Sequence, residues 1–297
     1  MTTTDPFANL PAPAEVPTAG SLRAEYFRKA KRGYGVVRHG FVQKQQGTVG
    51  SRASTLARFV NEKQHAALDL YLLLLALEPV VVESPESLQV WTKLLGDKAN
   101  AATTAHAFKI LQDWGLVHRE SGRTRYRVRP FDEAGTKNED GSPKGYQRPT
   151  GTSDFEERYF SVPEEFWTQG VIDRLKLPGK AMMLILLAET SSTGRPAANV
   201  PATQVREWYG FSERTAERGY DQLVEQGLIR QHETYERDPN SPIKVRRAVY
   251  RAFNEPFDTH TRLKRQAKAA KATKKKSTSA GSPEGSNSAP VLGSKGV

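Results

Sequence analysis

The chain has 297 residues, enough for two ordinary domains that each bury a core. It contains no cysteine, which excludes disulfides and thiolate metal sites and is typical of a cytoplasmic protein. Its longest apolar run, at residues 70–77, is shorter than the ~20 residues of a transmembrane helix. The first residues show no signal-peptide pattern. We therefore expect a soluble cytoplasmic protein with no membrane partner.

The formal net charge of +11 is unevenly distributed. Residues 1–58 carry a net charge of +6 and residues 262–297 a net charge of +8, whereas residues 59–261 carry −3. A basic chain favours nucleic acid as its partner. Because the presumed folded body is not basic overall, its binding face must come from locally clustered charge, and the flanks would add nonspecific attraction.

The first segments of the chain do not have the pattern of a folded domain. Residues 1–21 are rich in Thr, Pro and Ala, and we expect them to be disordered. Residues 22–53 are predicted to form a basic and aromatic arm, in which Tyr34 to Val42 could form a strand or hairpin. The alternative is a solubilising linker with one strand docked on the first domain.

Residues 54–130 predict the first folded domain. A mostly buried helix should run from Leu56 to Leu77 and end before Pro79. A helix start is predicted at 84–87, followed by an apolar helix face at spacings of three and four. A further helix is expected from about Ala99 to Trp114, and a hairpin at 116–129.

Residues 131–154 have the polar, Gly- and Pro-containing composition of an interdomain linker. Residues 155–258 then predict a second domain, which opens with a short strand at 159–163 and continues with helices. Its last two elements are a helix at 213–226 and a long hairpin with its tip at 238–242. Residues 259–297, basic and then rich in Ser and Gly, are predicted to be a disordered tail.

Two segments 112 residues apart carry the same pattern of residues. In each, an aromatic residue is followed by Leu three positions later and by Gly four positions after that, namely Phe108, Leu111 and Gly115, and Tyr220, Leu223 and Gly227. Glycine is favoured there because the residue after a helix end commonly adopts a left-handed backbone. The pattern predicts a mainly α fold with small β-hairpin wings (α+β), arranged as two winged-helix domains in tandem with disordered termini.

The stretches Val200–Tyr250 and, less closely, Pro85–Arg129 resemble the helix-turn-helix and wing of MarR- and GntR-type bacterial regulators. The Leu-x-x-x-Gly-Leu-[Val/Ile] ending is frequent across winged-helix families, so it identifies the fold and no single family. Two such modules in one chain also resemble the arrangement of iteron-binding plasmid replication initiators. The resemblance implies binding to double-stranded DNA and says little about an effector.

In a helix-turn-helix, the first two turns of the second helix contact bases in the major groove. Turning the apolar face inward leaves a short polar set exposed in each copy. These candidate DNA-binding residues are Asn100, Thr103 and His106, with Lys109, in the first copy, and Ser212, Arg214, Thr215 and Arg218 in the second. The arginines are well shaped for a bidentate contact to guanine. The alternative is the solvated face of an amphipathic helix.

The predicted wings supply cations for phosphate or for the minor groove. Arg125, Arg127 and Arg129 alternate along a strand, which places their guanidinium groups on one face. Arg119 and Arg123 lie in the same segment, with Glu120 as its one acid. The second wing carries Arg237, Lys244, Arg246 and Arg247 beside three acids and is more balanced. The tail at 262–276 would bind phosphate nonspecifically, or would serve only as a solubilising tail.

Motifs for catalysis or metal binding are absent from the sequence. The six histidines lie far apart without metal-ligand spacing, and Gly179-Lys180 lacks the upstream glycine of a phosphate-binding loop. We therefore predict that the protein is not an enzyme and has no cofactor and no metal site.

The leading hypothesis is a sequence-specific double-stranded DNA-binding protein, most simply a bacterial transcriptional regulator at the nucleoid, acting as one chain or as a homodimer. One alternative is a plasmid or phage replication initiator that binds origin repeats. Another is a protein-interaction scaffold with a nonspecific nucleic-acid-binding tail.

Overall fold

The computed structural model describes residues 16–45, 54–121, 125–152, 154–192, 196–237 and 243–279. Across these residues the chain is a mixed α+β fold that combines helices with small antiparallel sheets. The helices are α1 (Ala19–Ala30), α2 (His39–Val42), α3 (Thr55–Asn61), α4 (His65–Val81), α5 (Leu88–Leu95), α6 (Ala101–Asp113), α7 (Glu165–Thr168), α8 (Val171–Arg174), α9 (Leu177–Ser192), α10 (Ala202–Tyr209), α11 (Glu213–Glu225) and α12 (Thr259–Ser279). The strands are β1 (Tyr34–Arg38), β2 (Val117–Ser121), β3 (Tyr126–Pro130), β4 (Tyr159–Pro163), β5 (Ala197–Ala198), β6 (Ile229–Arg237) and β7 (Val245–Phe253).

Two units with the same order of elements follow one another, the first unit at 65–130 and the second unit at 177–253. Each begins with a long buried helix, α4 or α9, and continues with a short extended stretch that pairs with the last strand of the unit. Two short helices and an antiparallel hairpin complete each unit. The equivalent elements α4 and α9, α6 and α11, and β2 and β6 all begin 112 residues apart. The sequence repeat is therefore also a repeat of structure.

Glycines end the last helix of both units, as their positions in the sequence predict. Gly115 and Gly227 adopt left-handed φ angles of 68° and 65°, a conformation that costs other residues strain. The amides of the next residues donate back to the carbonyls of Leu111 and Leu223, each over 2.9 Å. The chain then turns directly into each hairpin.

An antiparallel pair of strands from distant parts of the chain joins the two units. β1, before the first unit, pairs with β4, before the second, and Val36 lies opposite Ser161 at the centre of the pair. We call this pair the β1–β4 ribbon. Because side chains alternate along strands, one ribbon face carries Val37, Phe160 and Val162, which belong to the same core as α4 and α9. The opposite face carries Ser161.

The segment 22–53, predicted as an arm, contributes α1, β1 and α2 to the folded body. α1 begins at Ala19, inside the range 1–21 predicted to be disordered, and it buries Tyr26 and Phe27. The predicted strand does form. It packs on α4 of the first unit, as the alternative expects, and it also pairs with β4. Residues 1–15 and 46–53 lie outside the described residues.

The segment 131–154, predicted as a linker, is packed against the ribbon. Asp132 and Glu133 are buried, and their carboxylates lie 3.4 and 2.8 Å from a guanidinium nitrogen of Arg38. Burial raises the pKa of Glu133 to about 7, although the Arg38 charge opposes the shift. The composition predicts a free linker because it is polar, and the polar groups instead find buried partners.

The basic segment that starts at 259 was predicted to be disordered, and its first part is the helix α12. Arg262 is buried and donates to the carbonyl oxygens of Leu187 (3.1 Å) and Phe257 (2.9 Å). Gln266 donates to the Ser161 hydroxyl over 2.8 Å, so α12 covers the ribbon face opposite the core. Residues 280–297 lie outside the described part of the chain.

One apolar core runs through both units and includes residues of α1, of the ribbon, and of the central helices α4 and α9. Phe27 of α1 packs against Trp167 of α7, with ring centroids 5.1 Å apart. The same core therefore stabilises both units. Within the described residues, no helix is long and apolar enough to cross a membrane.

Candidate nucleic-acid interface

The helices α6 and α11, which carry the candidate base-reading residues, begin with equivalent caps. The Asn100 side chain accepts a hydrogen bond from the Thr103 amide over 2.8 Å. The Ser212 hydroxyl accepts one from the Thr215 amide over 3.3 Å. Each cap satisfies a backbone amide that the first helical turn would leave unpaired. The first turns of both helices are therefore fixed in the same way.

The exposed face of α11 carries two arginines that form no ion pair with the described residues. Arg214 and Arg218 are exposed, and neither forms an ion pair with any residue that the structure describes. Ser212 is exposed and Thr215 is partly exposed beside them. This face can donate several hydrogen bonds to an anionic or acceptor-rich partner.

The face of α6 is smaller and less charged. Thr103 and His106 are exposed one turn apart, and Lys109 follows at the next turn. Ala101 and Ala102 occupy the rest of the first turn and are also exposed. The structure thus places each predicted α6 and α11 residue on an accessible helix surface.

A close contact between backbones fixes α11 on the central helix of its unit. A Cβ atom added at Gly219 would lie 2.5 Å from the carbonyl oxygen of Pro178 and 2.5 Å from Cγ of Met182 in α9. Tyr220, the next residue, is buried, and its hydroxyl donates to the Val200 carbonyl over 2.6 Å. In α6 the position equivalent to Gly219 is Ala107, which is also buried.

The first hairpin places a row of arginines on one face. Arg127 lies opposite Glu120 in the register and Arg129 lies opposite His118, so these side chains share a face that includes Arg125. Arg129 lies 3.8 Å from the Glu120 carboxylate. Arg125 and Arg127 form no ion pair with the described residues, and Nε of Arg127 is buried without a hydrogen-bond partner among them. Arg123, at the hairpin tip, lies outside the described residues.

Arg119 does not belong to that row. Its guanidinium carbon lies 5.6 Å from the centroid of the Phe108 ring and 4.9 Å from that of Tyr126, and it points toward the inner face of the hairpin. We interpret Arg119 as a packing residue that joins α6 to its hairpin through cation–π contacts.

Two arginines of the second hairpin are paired with acids of the same hairpin. The Arg247 guanidinium lies 2.6 Å from Glu233, and that of Arg246 lies 3.6 Å from Glu236. Lys244 is exposed without an ion pair to the described residues. Two of the basic residues that the sequence predicts for this hairpin therefore form ion pairs with its acids.

The C-terminal turn of α1 lies beside the first hairpin, a placement that the sequence does not reveal. The Tyr26 hydroxyl donates to the carboxylate of Glu86, and the backbone of Glu86 pairs with that of Tyr126 in β3. Arg28 and Lys31, at the end of α1, are exposed, but they lie beside Glu164 and Thr168 and face away from the hairpin. The cluster of basic residues at 28–32 is the sequence signal, but its position depends on the burial of α1.

The two arginines in the first turns of α12, Arg262 and Arg265, are engaged within the protein, and the lysines of this helix whose side chains the structure describes are exposed. Arg262 is 2% exposed, and burial lowers its pKa to about 10. Arg265 pairs with Glu165. The prediction that residues 262–276 bind phosphate as one stretch is therefore wrong for its first residues. Lys264, Lys268 and Lys271 remain exposed.

Buried polar contacts hold the two units in one arrangement. Arg23 is 1% exposed and forms five hydrogen bonds, of which two reach the α5 carbonyls of Leu94 and Leu95 and two reach the carboxylate of Asp173 in α8. Lys180 of α9 lies 2.6 Å from Asp69 of α4. Each contact joins elements from the two halves of the chain.

Comparison with protein-family models, with curated proteins and with solved structures finds no match for this chain. In the part of the chain that the structure describes, no group of three or more His, Asp or Glu side chains could hold a metal ion. The geometry of the two units is therefore the basis on which a function can be assigned.

Proposed function

We propose that the two units are winged-helix modules, and that the chain is a sequence-specific double-stranded DNA-binding protein acting as a transcriptional regulator. The order of elements supports the proposal: a long helix, a short extended stretch, two helices and a hairpin, in duplicate. The observation that carries it is the pair of equivalently capped helices, α6 and α11, each with an exposed polar face and a basic hairpin behind it.

In this proposal α11 reads bases in the major groove. Arg214 and Arg218 are exposed and lack ion pairs with the described residues, so no internal contact has to be broken before they bind guanine. A good bidentate contact discriminates against the wrong base by ~1–3 kcal/mol. The α6 face, with Thr103 and His106, offers shorter and uncharged contacts and should discriminate less.

The first hairpin is the phosphate anchor in the same proposal. Its arginines Arg125 and Arg127 form no ion pair with the described residues, whereas Arg246 and Arg247 of the second hairpin are paired with glutamates. Neutralising a phosphate releases a counterion and gives affinity without sequence information.

The test begins with selection of bound fragments from random duplex DNA by the whole chain, followed by affinity measurements at one salt concentration. Arg214→Ala and Arg218→Ala should relax the sequence preference. Arg125→Gln with Arg127→Gln should weaken all duplexes alike, and Arg247→Gln, which removes an already paired charge, should weaken them less.

If specific duplex binding survives the loss of Arg125, Arg127, Arg214 and Arg218, the groove-binding proposal is wrong. If selection enriches no sequence and only removal of residues 268–297, beyond the structural contacts of Arg262, Arg265 and Gln266, lowers affinity, the chain is instead a scaffold with a nonspecific tail. Footprinting on native DNA then distinguishes transcriptional regulation from replication initiation. Sites over a promoter support regulation, and tandem repeats beside an AT-rich segment support replication initiation in its place.

A further inference from the structure

We infer that one chain binds a bipartite duplex site whose two half-sites are inverted relative to each other, unequal in sequence and held at one fixed spacing. This inference rests on the proposed function. It adds the symmetry of the DNA site, which the repeated sequence alone leaves open, because two modules in tandem could equally read direct repeats.

The symmetry follows from the β1–β4 ribbon. The two strands occupy equivalent places, each five residues long and followed by a four-residue helix, and they are related by a shift of 125 residues. Val36 shifted by 125 is Ser161, its own partner at the centre of the antiparallel pair. Two equivalent strands that pair antiparallel about equivalent residues are related by a local two-fold axis.

The same two-fold axis relates the remaining equivalent elements of the two units. α4 packs on β1 and α9 packs on β4, and α6 and α11 pack in turn on α4 and α9. The two candidate reading helices are therefore related by rotation, as in a two-fold dimer, and not by translation along the chain. Two readers related by a two-fold axis meet the antiparallel strands of a duplex in opposite directions, so their half-sites are inverted.

The spacing between the half-sites should be fixed because the units are tied together by buried groups. Arg23 joins α5 to α8 through hydrogen bonds to backbone carbonyls and to Asp173. The Lys180 ammonium and the Asp69 carboxylate join α9 to α4. One apolar core fills the space between them. A rigid pair of readers tolerates one separation along the helical repeat of DNA, ~10–10.5 base pairs per turn.

The half-sites should be unequal because the two reading faces differ at defined positions. At the repeat spacing of 112 residues, Thr103 of α6 corresponds to Thr215 of α11, which is the same residue type. The neighbouring positions differ: Ala102 corresponds to Arg214, and His106 corresponds to Arg218. The exposed face of α6 therefore lacks the two guanidinium groups that the face of α11 carries.

The correspondence gives a direct experiment. In the double variant Ala102→Arg, His106→Arg, the exposed face of α6 carries the same residues as that of α11 at these positions. All four positions are exposed, so the fold should tolerate the change. After selection identifies the wild-type site, the variant should prefer a palindrome of the α11 half-site to the wild-type site by at least ~10-fold, the effect of about one bidentate contact.

The reciprocal variant, Arg214→Ala with Arg218→His, is the matched control, because it should prefer a palindrome of the other half-site. It also keeps the test available if the first variant does not fold, which circular dichroism would show. Preference of either variant for a direct repeat over a palindrome would overturn the inference, and so would an unchanged preference for the wild-type site in both.

Spacing is tested on the wild-type chain. Insertion of one or five base pairs between the half-sites should reduce affinity to that of a single half-site, and equal affinity at all spacings would contradict a rigid pair. Failure of the proposed function looks different from both of these results, because the wild-type chain would then select no sequence at all.

Discussion

Replacing Gly219 by alanine tests whether a close helix contact sets the position of the reading helix. The new Cβ would lie 2.5 Å from the Pro178 carbonyl oxygen and 2.5 Å from Cγ of Met182. Ordinary contact between carbon atoms begins at ~3.5 Å. Because the oxygen belongs to the α9 backbone and cannot rotate away, α11 has to move outward by roughly 1 Å relative to normal contact distances.

Two effects of opposite sign decide the change in the free energy of unfolding. Alanine is favoured over glycine in a helix interior by ~1 kcal/mol, whereas overpacking a close contact costs ~1–3 kcal/mol. We expect the second to prevail and Gly219→Ala to lower the unfolding free energy by ~1–2 kcal/mol. Movement of α11 should also weaken binding at the half-site read by Arg214 and Arg218 by ~10-fold, which is ~1.4 kcal/mol.

Urea unfolding gives the stability, and titration of the selected duplex gives the affinity. The matched control is Ala107→Gly, at the equivalent position of α6. It should cost ~2 kcal/mol, from helix propensity and from loss of a buried methyl group, and leave the α11 half-site unaffected. If Gly219→Ala is more stable than the wild type and binds equally well, the close approach of α11 to α9 does not position the reading helix.

Three further perturbations have defined outcomes. Replacing Arg125 and Arg127 together by Gln should reduce the slope of log affinity against log salt by ~2, because each removes ~1 phosphate contact; an unchanged slope would mean that the hairpin does not touch phosphate. Burial lowers the pKa of His39 from 6.5 to about 4, so the folded state binds fewer protons between these values, and stability is lost as the pH falls through this window. His39→Gln should remove that part of the pH dependence of urea unfolding and exposed His232→Gln should not, whereas identical profiles for all three proteins would contradict it. Arg23→Lys keeps the charge but loses the planar fork and with it several of the hydrogen bonds of Arg23, so it should lower the free energy of unfolding in urea by ~2–3 kcal/mol; a loss below ~0.5 kcal/mol would show that Arg23 does not tie α5 to α8.

The repeated elements are predictable from sequence because their signals are local. The glycines at 115 and 227 stand at helix ends, and the reading faces follow from helical periodicity. The short helix α5 shows the limit of such signals. Ser87 caps it, accepting from the Val90 amide over 3.3 Å, although Ser84 with Pro85 has the stronger sequence pattern. Glu86 is held in an extended pairing with β3, so the helix cannot begin earlier.

The β1–β4 ribbon and the buried arginines could not be read from the sequence. β1 finds its partner 125 residues away, and its five residues end in a charged Arg38 that looks like surface chain. Arg23 lies in a helix that also carries Glu25 and Arg28, and its burial depends on Asp173, 150 residues further on. Periodicity cannot identify a buried charge whose partner is distant in sequence. The position of α1 beside the first hairpin was missed for the same reason.

The axis through Val36 and Ser161 gives a single polypeptide a symmetry that usually requires two. In a homodimeric DNA-binding protein, assembly depends on concentration, and every change in one recognition surface is copied into the other. Here the second copy is covalently present at any dilution, and each copy can change independently. In the proposed function, the chain therefore keeps the geometry of a two-fold assembly while one half specialises in phosphate binding and the other in sequence recognition.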